Sequence, residues 1–287
     1  MPDEWSKFER RVIFMYFITI SELLGTNGEK IARMVAEELK YTFYGTKELF
    51  EAAAAMGFLS DAKKSDENVP ALLERLFSDK PKIYLDRLQS VIYDVAKKGN
   101  AVFFGRGGKF LLHSFDCAFH ILVTGSMEKR IQRVMEEKQV GREVAENMIR
   151  HSDHDKRAFI RFAYDEDMLN PRLYDLVLNT DKLSIDSAAK MIVDAANSEE
   201  IKSCGIDSVQ LLGKLSLTRK VESLLLEAGA TSPHIFFTVE ETNAVRLFGF
   251  ADSSAEKERV EHLVRKIKEI KTIKNELVVF TESMRGE

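Results

Sequence analysis

Residues 21–30, SELLGTNGEK, combine a glycine-containing turn with the start of a helical pattern. Backbone N–H groups and the helix dipole at such a helix N-terminus attract an anion. The pattern therefore predicts a phosphate-binding loop, formed by Gly25, Thr26, Asn27, Gly28, Glu29 and Lys30. An ordinary strand-to-helix turn is about as good an interpretation of this segment taken alone.

The loop departs from the GxxxxGK[ST] pattern of phosphate-binding loops. When the segment is aligned on its flanking strand and helix, Gly28 takes the place of the lysine, and Glu29 that of the magnesium-binding Ser/Thr. Glu22 takes the place of the first glycine. A carboxylate such as that of Glu29 opposes an anion at a helix N-terminus, so we expect phosphate binding to be weak.

Two arginine-bearing segments could complete a phosphate site. Arg106 follows the apolar stretch 101–104 within GRGG, where a guanidinium can hold a phosphate through two N–H donors. Arg157 and Arg161 lie one helical turn apart in a basic stretch, with Arg130 upstream, and arginines so placed neutralise a transferring phosphate. A surface arginine beside a turn and a solvated helix face are the alternatives.

Strands and helices alternate through the first 200 residues. Predicted strands cover residues 12–20, 41–44, 101–105, 118–124 and 174–179, with helical segments between them. This alternation favours an α/β fold with a five-stranded parallel sheet flanked by helices. Such sheets bind ligands at the carboxyl ends of their strands, so we expect Arg106, Arg157 and Arg161 to face one crevice with the loop.

The pattern changes after residue 198. Residues 199–207 are polar and predict a linker, and residues 208–287 follow the order helix, strand, strand, helix, strand. We therefore predict two domains, at 1–198 and 208–287, the second a small α+β unit. Gly249 is expected to end a strand of its hairpin.

The composition excludes several classes of protein. A net charge of −4 gives no reason to expect nucleic-acid binding. Two cysteines are too few for a disulfide framework, and no Cys/His spacing predicts a metal site. The acidic N-terminus does not resemble a signal peptide, and the apolar stretch 12–20 is far shorter than a membrane span, so we expect a cytoplasmic protein without a transmembrane segment.

The loop, the Arg106 segment and the basic helical segment, taken in this order along the chain, resemble the cytidylate kinase-like family of P-loop proteins. The resemblance covers about residues 11–196. The resemblance is carried by ITIS at 18–21, FYGTKEL at 43–49, VPALLERLF at 69–77, GNAVFFGRG at 99–107, DKR at 155–157 and YDLVLNT at 174–180. Residues 208–287 resemble the BON domain through VRLFG at 245–249 and IKTIKNEL at 270–277.

The first resemblance implies phosphoryl transfer from ATP, with Mg²⁺, to a nucleoside monophosphate or a similar small phosphate acceptor. The loop would hold the donor phosphates and Arg106 the acceptor phosphate. Arg130, Arg157 and Arg161 would close over the transferring group. The missing lysine motivates the alternative, a nucleotide-sensing or regulatory protein with little or no catalysis.

The same resemblance gives less support for selectivity for cytosine nucleotides than for the fold. Cytidylate kinases carry an aspartate after GR, where this chain has Gly107. Their lid carries an arginine, an aspartate and an arginine, at positions that correspond to His154, Ala158 and Arg161. The BON resemblance implies an interaction module for a ligand, a protein or a membrane surface, and a packing or dimerisation module is the alternative.

Overall fold

The computed structural model describes residues 17–56, 58, 81–105, 107–115, 117–198, 206–230 and 232–279. Their helices are α1 (Gly28–Leu39), α2 (Thr46–Ala55), α3 (Pro81–Ala96), α4 (Gly108–Leu112), α5 (Met127–Lys138), α6 (Arg142–Tyr164), α7 (Ile185–Ala196), α8 (Ile206–Glu227) and α9 (Ser254–Arg265). The chain divides into two compact units. One combines residues 1–45 with 99–209, and the other combines 46–98 with 210–287.

The first unit is built on a five-stranded sheet in the order β2-β3-β1-β4-β5. Its strands are β1 (Phe17–Glu22), β2 (Thr42–Tyr44), β3 (Ala101–Phe104), β4 (Ala118–Thr124) and β5 (Leu176–Asn179). Every neighbouring pair is parallel, which confirms the predicted sheet. β1 continues to Glu22, two residues beyond its predicted end, because it pairs with β4 as far as Val123. Residues 12–16 of the predicted first strand lie outside the described residues.

Helices cover both faces of this sheet. Ile18 and Ile20 of β1 pack with Ile31 and Val35 of α1 and with Ile192 of α7, and all are buried. The opposite face holds a second cluster, formed by Leu23, Phe110, Leu122, Ile160, Met168 and Tyr174. The alternation of side chains along each strand produces the two cores, since successive residues point to opposite faces.

A buried polar pair lies in the second face of the sheet. Thr19 Oγ1 and His120 Nδ1 are 2.7 Å apart on paired positions of β1 and β4. Burial, followed by the charges of Lys109 and His113, lowers the pKa of His120 to about 3. The imidazole is therefore neutral at physiological pH and serves as a hydrogen-bonding group of the core.

The second unit contains a three-stranded sheet in the order β6-β7-β8. Its strands are β6 (Ile235–Glu241), β7 (Ala244–Ala251) and β8 (Thr272–Val279). β6 and β7 are antiparallel and joined by a turn at Thr242 and Asn243, while β8 runs parallel to β7. One face packs on α8 and α9 through Leu217, Val221, Leu225, Val245, Leu247, Val260, Val264 and Leu277. The order helix, strand, strand, helix, strand is confirmed.

Cys117 is buried and disulfide-bonded. In the part of the chain that the structure describes, no helix is both long and apolar enough to span a bilayer.

Gly249 lies inside β7 and does not end it, contrary to the expectation from the sequence. It pairs with Ile235 on one side and with Leu277 on the other. Its φ is +106°, and a Cβ atom would lie 2.1 Å from the carbonyl oxygen of His234. The missing side chain allows β6 to approach here while β7 continues to Ala251 alongside β8.

We predict that Gly249→Ala lowers the free energy of unfolding of the second unit by about 3 kcal/mol, because a methyl group would meet backbone in a strained conformation. Gly229→Ala is the matched control: its φ is also positive, at +61°, but no atom lies within 4 Å of the added methyl. The control should cost about 1 kcal/mol. Urea unfolding of the full chain measures both, and equal losses would contradict the clash.

Candidate phosphate-binding loop

The loop between β1 and α1 has a backbone that turns sharply at two points. Gly25 has φ +86° and Asn27 has φ +62°, both in the left-handed region. The Asn27 side chain makes no capping hydrogen bond to the helix that begins at Gly28. The first N–H groups of α1 therefore need another acceptor.

Glu22 supplies that acceptor. Its carboxylate Oε2 accepts a hydrogen bond from the Gly28 N–H at 3.0 Å and one from Thr26 Oγ1 at 3.3 Å. The Glu22 side chain is 13% exposed. A carboxylate of the protein itself thus occupies the helix N-terminus, where the loop was predicted to hold a phosphate.

The contact with Glu22 explains why position 28 is a glycine. A Cβ atom at position 28 would lie 2.7 Å from both Cβ and Oε2 of Glu22. A lysine here, as in the usual motif, would displace the Glu22 side chain. Gly28 and Glu22 therefore depart from the usual pattern together, for one steric reason.

Lys156 of α6 balances the charge of Glu22. Its Nζ donates to the Glu22 carbonyl oxygen at 3.2 Å and lies 3.4 Å from the carboxylate Oε1. The Lys156 side chain is about one third exposed. The loop thus contains an ion pair between a carboxylate in the predicted anion position and an ammonium group from the predicted lid helix.

Arg130 and Asp153 hold the backbone of the loop. Arg130 Nε donates to the Leu24 carbonyl oxygen at 2.8 Å, and its guanidinium forms an ion pair with Asp153. Asp153 Oδ1 accepts the Leu24 N–H at 3.2 Å, so the backbone N–H and the backbone carbonyl oxygen of Leu24 are both hydrogen-bonded. The Arg130 side chain is 6% exposed. Its contacts identify it as a positioning residue for the loop.

A second arginine of α5 supports the far side of the loop. Arg133 donates to Thr180 Oγ1 at 2.9 Å and lies 3.4 Å from the Gly25 carbonyl oxygen. Thr180 Oγ1 in turn lies 3.3 Å from the Thr26 carbonyl oxygen. Thr180 closes the YDLVLNT segment, and the sequence alone assigned it no role in the site.

The two charged residues predicted at the start of α1 point away from this arrangement. Glu29 and Lys30 are exposed, and Glu29 forms an ion pair with Arg33 at 2.8 Å. The Arg33 guanidinium also lies 4.0 Å from the centre of the Phe43 ring. The charge of Glu29 is already compensated, so the carboxylate that opposes a phosphate is that of Glu22.

The other predicted arginines are more exposed. Arg157 pairs with Asp167 at 3.6 Å and Arg161 with Asp165 at 3.9 Å, and both arginine side chains are more than half exposed. Arg106 lies outside the described residues. That these three arginines share a crevice with the loop stays a prediction, whereas Asp153 and Lys156 of α6 contact Leu24 and Glu22.

The end of α6 explains Gly107. The Tyr164 ring stacks on Phe110 with centroids 5.1 Å apart. Gly107 has φ +78°, and a Cβ atom there would lie 2.7 Å from the Tyr164 hydroxyl oxygen. The aspartate that cytidylate kinases carry at this position would collide with Tyr164.

The parallel sheet and the strand–loop–helix connection define a P-loop kinase-type fold. The model of the cytidylate kinase-like family matches residues 17–182, more than half of the chain, and the chain belongs to this family. The BON domain model matches residues 215–280.

Individual proteins match at modest identity. A cytidylate kinase from Methanocaldococcus jannaschii is 26% identical over 186 residues, which cover 63% of this chain and 97% of the relative. A cytidylate kinase from Staphylothermus marinus is 27% identical over 180 residues, covering 62% and 94%. The structure of an uncharacterized protein from Eubacterium ventriosum, 22% identical, has a TM-score of 0.53 and covers 64% of this chain and 99% of that one. That structural likeness supports the fold alone.

We predict that Arg130→Met lowers the free energy of unfolding of the first unit by about 3 kcal/mol, because it leaves Asp153 and the Leu24 carbonyl without their partner. Arg161→Met is the control, and the loss of its exposed ion pair should change stability by less than about 0.5 kcal/mol. Urea unfolding followed by circular dichroism measures both. If Arg130→Met were as stable as the control, Arg130 would be free to contact a phosphate.

Proposed function

We propose that this chain is a catalytically weak or inactive member of the cytidylate kinase-like family, in which the kinase-type unit senses a nucleotide. The observation that carries the proposal is the hydrogen bond from the Gly28 N–H to the Glu22 carboxylate at 3.0 Å. A donor that a nucleotide phosphate would use is already bound to an internal anion.

Phosphoryl transfer depends on neutralising the charge of the transferring group. Gly28 stands where the usual motif has its lysine, Lys30 is exposed, and the nearby Lys156 is paired with Glu22. Removal of a positioned donor to a reacting group typically lowers a rate by about 10²–10³-fold. The arrangement supports slow chemistry at best.

A triphosphate does not fit the loop while Glu22 remains in place, since two anions would share the same N–H donor. The residue at the usual magnesium-binding position, Glu29, is exposed and paired with Arg33. Binding of ATP with Mg²⁺ therefore requires the Glu22 side chain to leave the loop. Such a displacement would couple nucleotide binding to a local rearrangement, as a sensor requires.

The second candidate is an active kinase for a nucleoside monophosphate. Two relatives over the family region carry the name cytidylate kinase, which favours it. Displacement of Glu22 would release Lys156, whose ammonium lies 3.4 Å from the carboxylate oxygen that it now neutralises. In that case the lid helix would supply the positive charge that the loop lacks.

We predict that wild-type protein binds ATP weakly and only with Mg²⁺. Glu22→Ala should bind at least about tenfold more tightly, because it removes both the occupying group and its charge. Glu22→Gln should gain less, because an amide of the same shape still accepts from Gly28. Isothermal titration calorimetry measures the affinities.

Two further variants separate local from general charge effects. Glu29→Gln should change the affinity little, since Arg33 already compensates Glu29, and the exposed Glu38→Gln should not change it at all. Unchanged affinity in Glu22→Ala would remove the basis of the proposal.

A coupled assay of ADP formation with cytidine monophosphate tests the second candidate: rapid turnover by wild-type protein would establish an active kinase.

A further inference from the structure

Helices α3 and α8 meet along a line of polar side chains inside the second unit. At its centre, Ser90 Oγ donates to the Ser216 carbonyl oxygen at 3.1 Å. Ser216 Oγ donates to the Ser90 carbonyl oxygen at 3.2 Å. Both serines are buried, and two short side chains bonded to each other's backbone require the helices to lie close together.

Lys220 of α8 lies one turn beyond Ser216 and is 7% exposed. Its ammonium group lies 3.7 Å from Asp94 of α3 and forms an ion pair with Glu269, which follows α9. A buried ammonium needs its partners, because desolvation of an unpaired charge is strongly unfavourable. Lys220 therefore joins α3 to two parts of the C-terminal domain.

The other end of the line is also charged. Arg219 of α8 lies 3.5 Å from Asp86 of α3 and 2.6 Å from Glu222. Asp86 is 3% exposed, and its second oxygen, Oδ2, has no hydrogen-bond partner among the described residues. Arg87, the residue after Asp86, forms an ion pair with Glu227 at the end of α8.

These contacts cross the boundary between the two family matches. α3 lies within residues 17–182, which match the cytidylate kinase-like family, whereas Ser216, Arg219 and Lys220 lie within residues 215–280, which match the BON domain. α2 packs on α3 within the same compact unit. A helical segment of the kinase-like region is thus built into the unit that contains the BON domain.

We propose that α3 and α8 form a coupling interface, through which the BON domain stabilises helices α2 and α3 of the kinase-like region. Separation of the two helices would break the Lys220–Asp94 and Arg219–Asp86 contacts together with the reciprocal serine hydrogen bonds. Because a coupling free energy acts in both directions, a ligand that shifts one side changes the other. The proposal does not depend on the nucleotide sensing proposed above.

Hydrogen–deuterium exchange of the full chain tests the interface. Lys220→Met should raise the exchange of peptides from both α3 and α8 by about tenfold or more, because local opening becomes easier in one cooperative unit. Peptides from β1 and β4 should exchange as in wild-type protein. The exposed Lys268→Met is the control and should leave all peptides unchanged. Faster exchange confined to α8 would overturn the proposal.

A second variant acts in the opposite direction and remains informative if Lys220→Met does not fold. Burial raises the pKa of Asp86 to about 6, with Glu222 adding to the rise and Arg219 and Lys82 opposing it. Since the folded pKa exceeds the unfolded value of 3.8, the ionised carboxylate weakens the folded state, and stability falls as the pH rises from about 4 to about 6.

Asp86→Asn removes this charge at every pH. At pH 7.5 it should slow the exchange of α3 and α8 together by about tenfold relative to wild-type protein, and most of the difference should vanish at pH 4.5, where wild-type Asp86 is protonated. The groups that face Asp86, namely Arg219, Glu222 and Lys82, remain in place in both proteins. Slower exchange in α3 alone, or the same factor at both pH values, would contradict a shared interface.

Discussion

The organisation of the loop depends on the hydrogen bond between the Glu22 carboxylate and the Gly28 N–H. The first N–H groups of a helix need an acceptor, and here the protein supplies its own anion. That choice requires a residue without a side chain at position 28 and a compensating cation, which Lys156 provides. A family fold that normally receives a phosphate at this place is closed internally by one carboxylate.

A layer of arginines keeps the loop in this shape. Arg130 and Arg133 bind carbonyl oxygens of the loop, and Asp153 connects Arg130 to the Leu24 N–H. Their donors are directed at the protein backbone. In this chain, the buried Arg130 and the partly buried Arg133 position the loop, whereas Arg157 and Arg161 are exposed on the surface of α6.

The second unit follows a related physical rule, since the charges that α3 and α8 bury there lie in contact with opposite charges. Lys220 lies between Asp94 and Glu269, and Arg219 lies between Asp86 and Glu222. Apolar surfaces would allow many alternative packings of α3 on α8, whereas paired charges and reciprocal serine hydrogen bonds select one alignment. The boundaries of the compact units therefore differ from those of the family matches: residues 46–98 lie in the same unit as the BON domain, although they fall within the cytidylate kinase-like match.

The sequence by itself determined the five parallel strands, the C-terminal order of helices and strands, and the place of the loop at the end of β1. These features follow from local periodicity and from the rules that connect parallel strands. It also indicated that the loop departs from the usual motif, because Glu22, Gly28 and Glu29 stand at its defining positions.

Only the tertiary structure decided which of these acids enters the loop. Glu22 and Glu29 flank the same turn, and their directions depend on the backbone angles at Gly25 and Asn27 and on Arg33, which pairs with Glu29. The partners of Glu22 and Lys220 likewise come from distant segments, such as Lys156 and Asp94. Local patterns do not encode such contacts, because the energy of a buried charge depends on the whole environment that folding assembles around it.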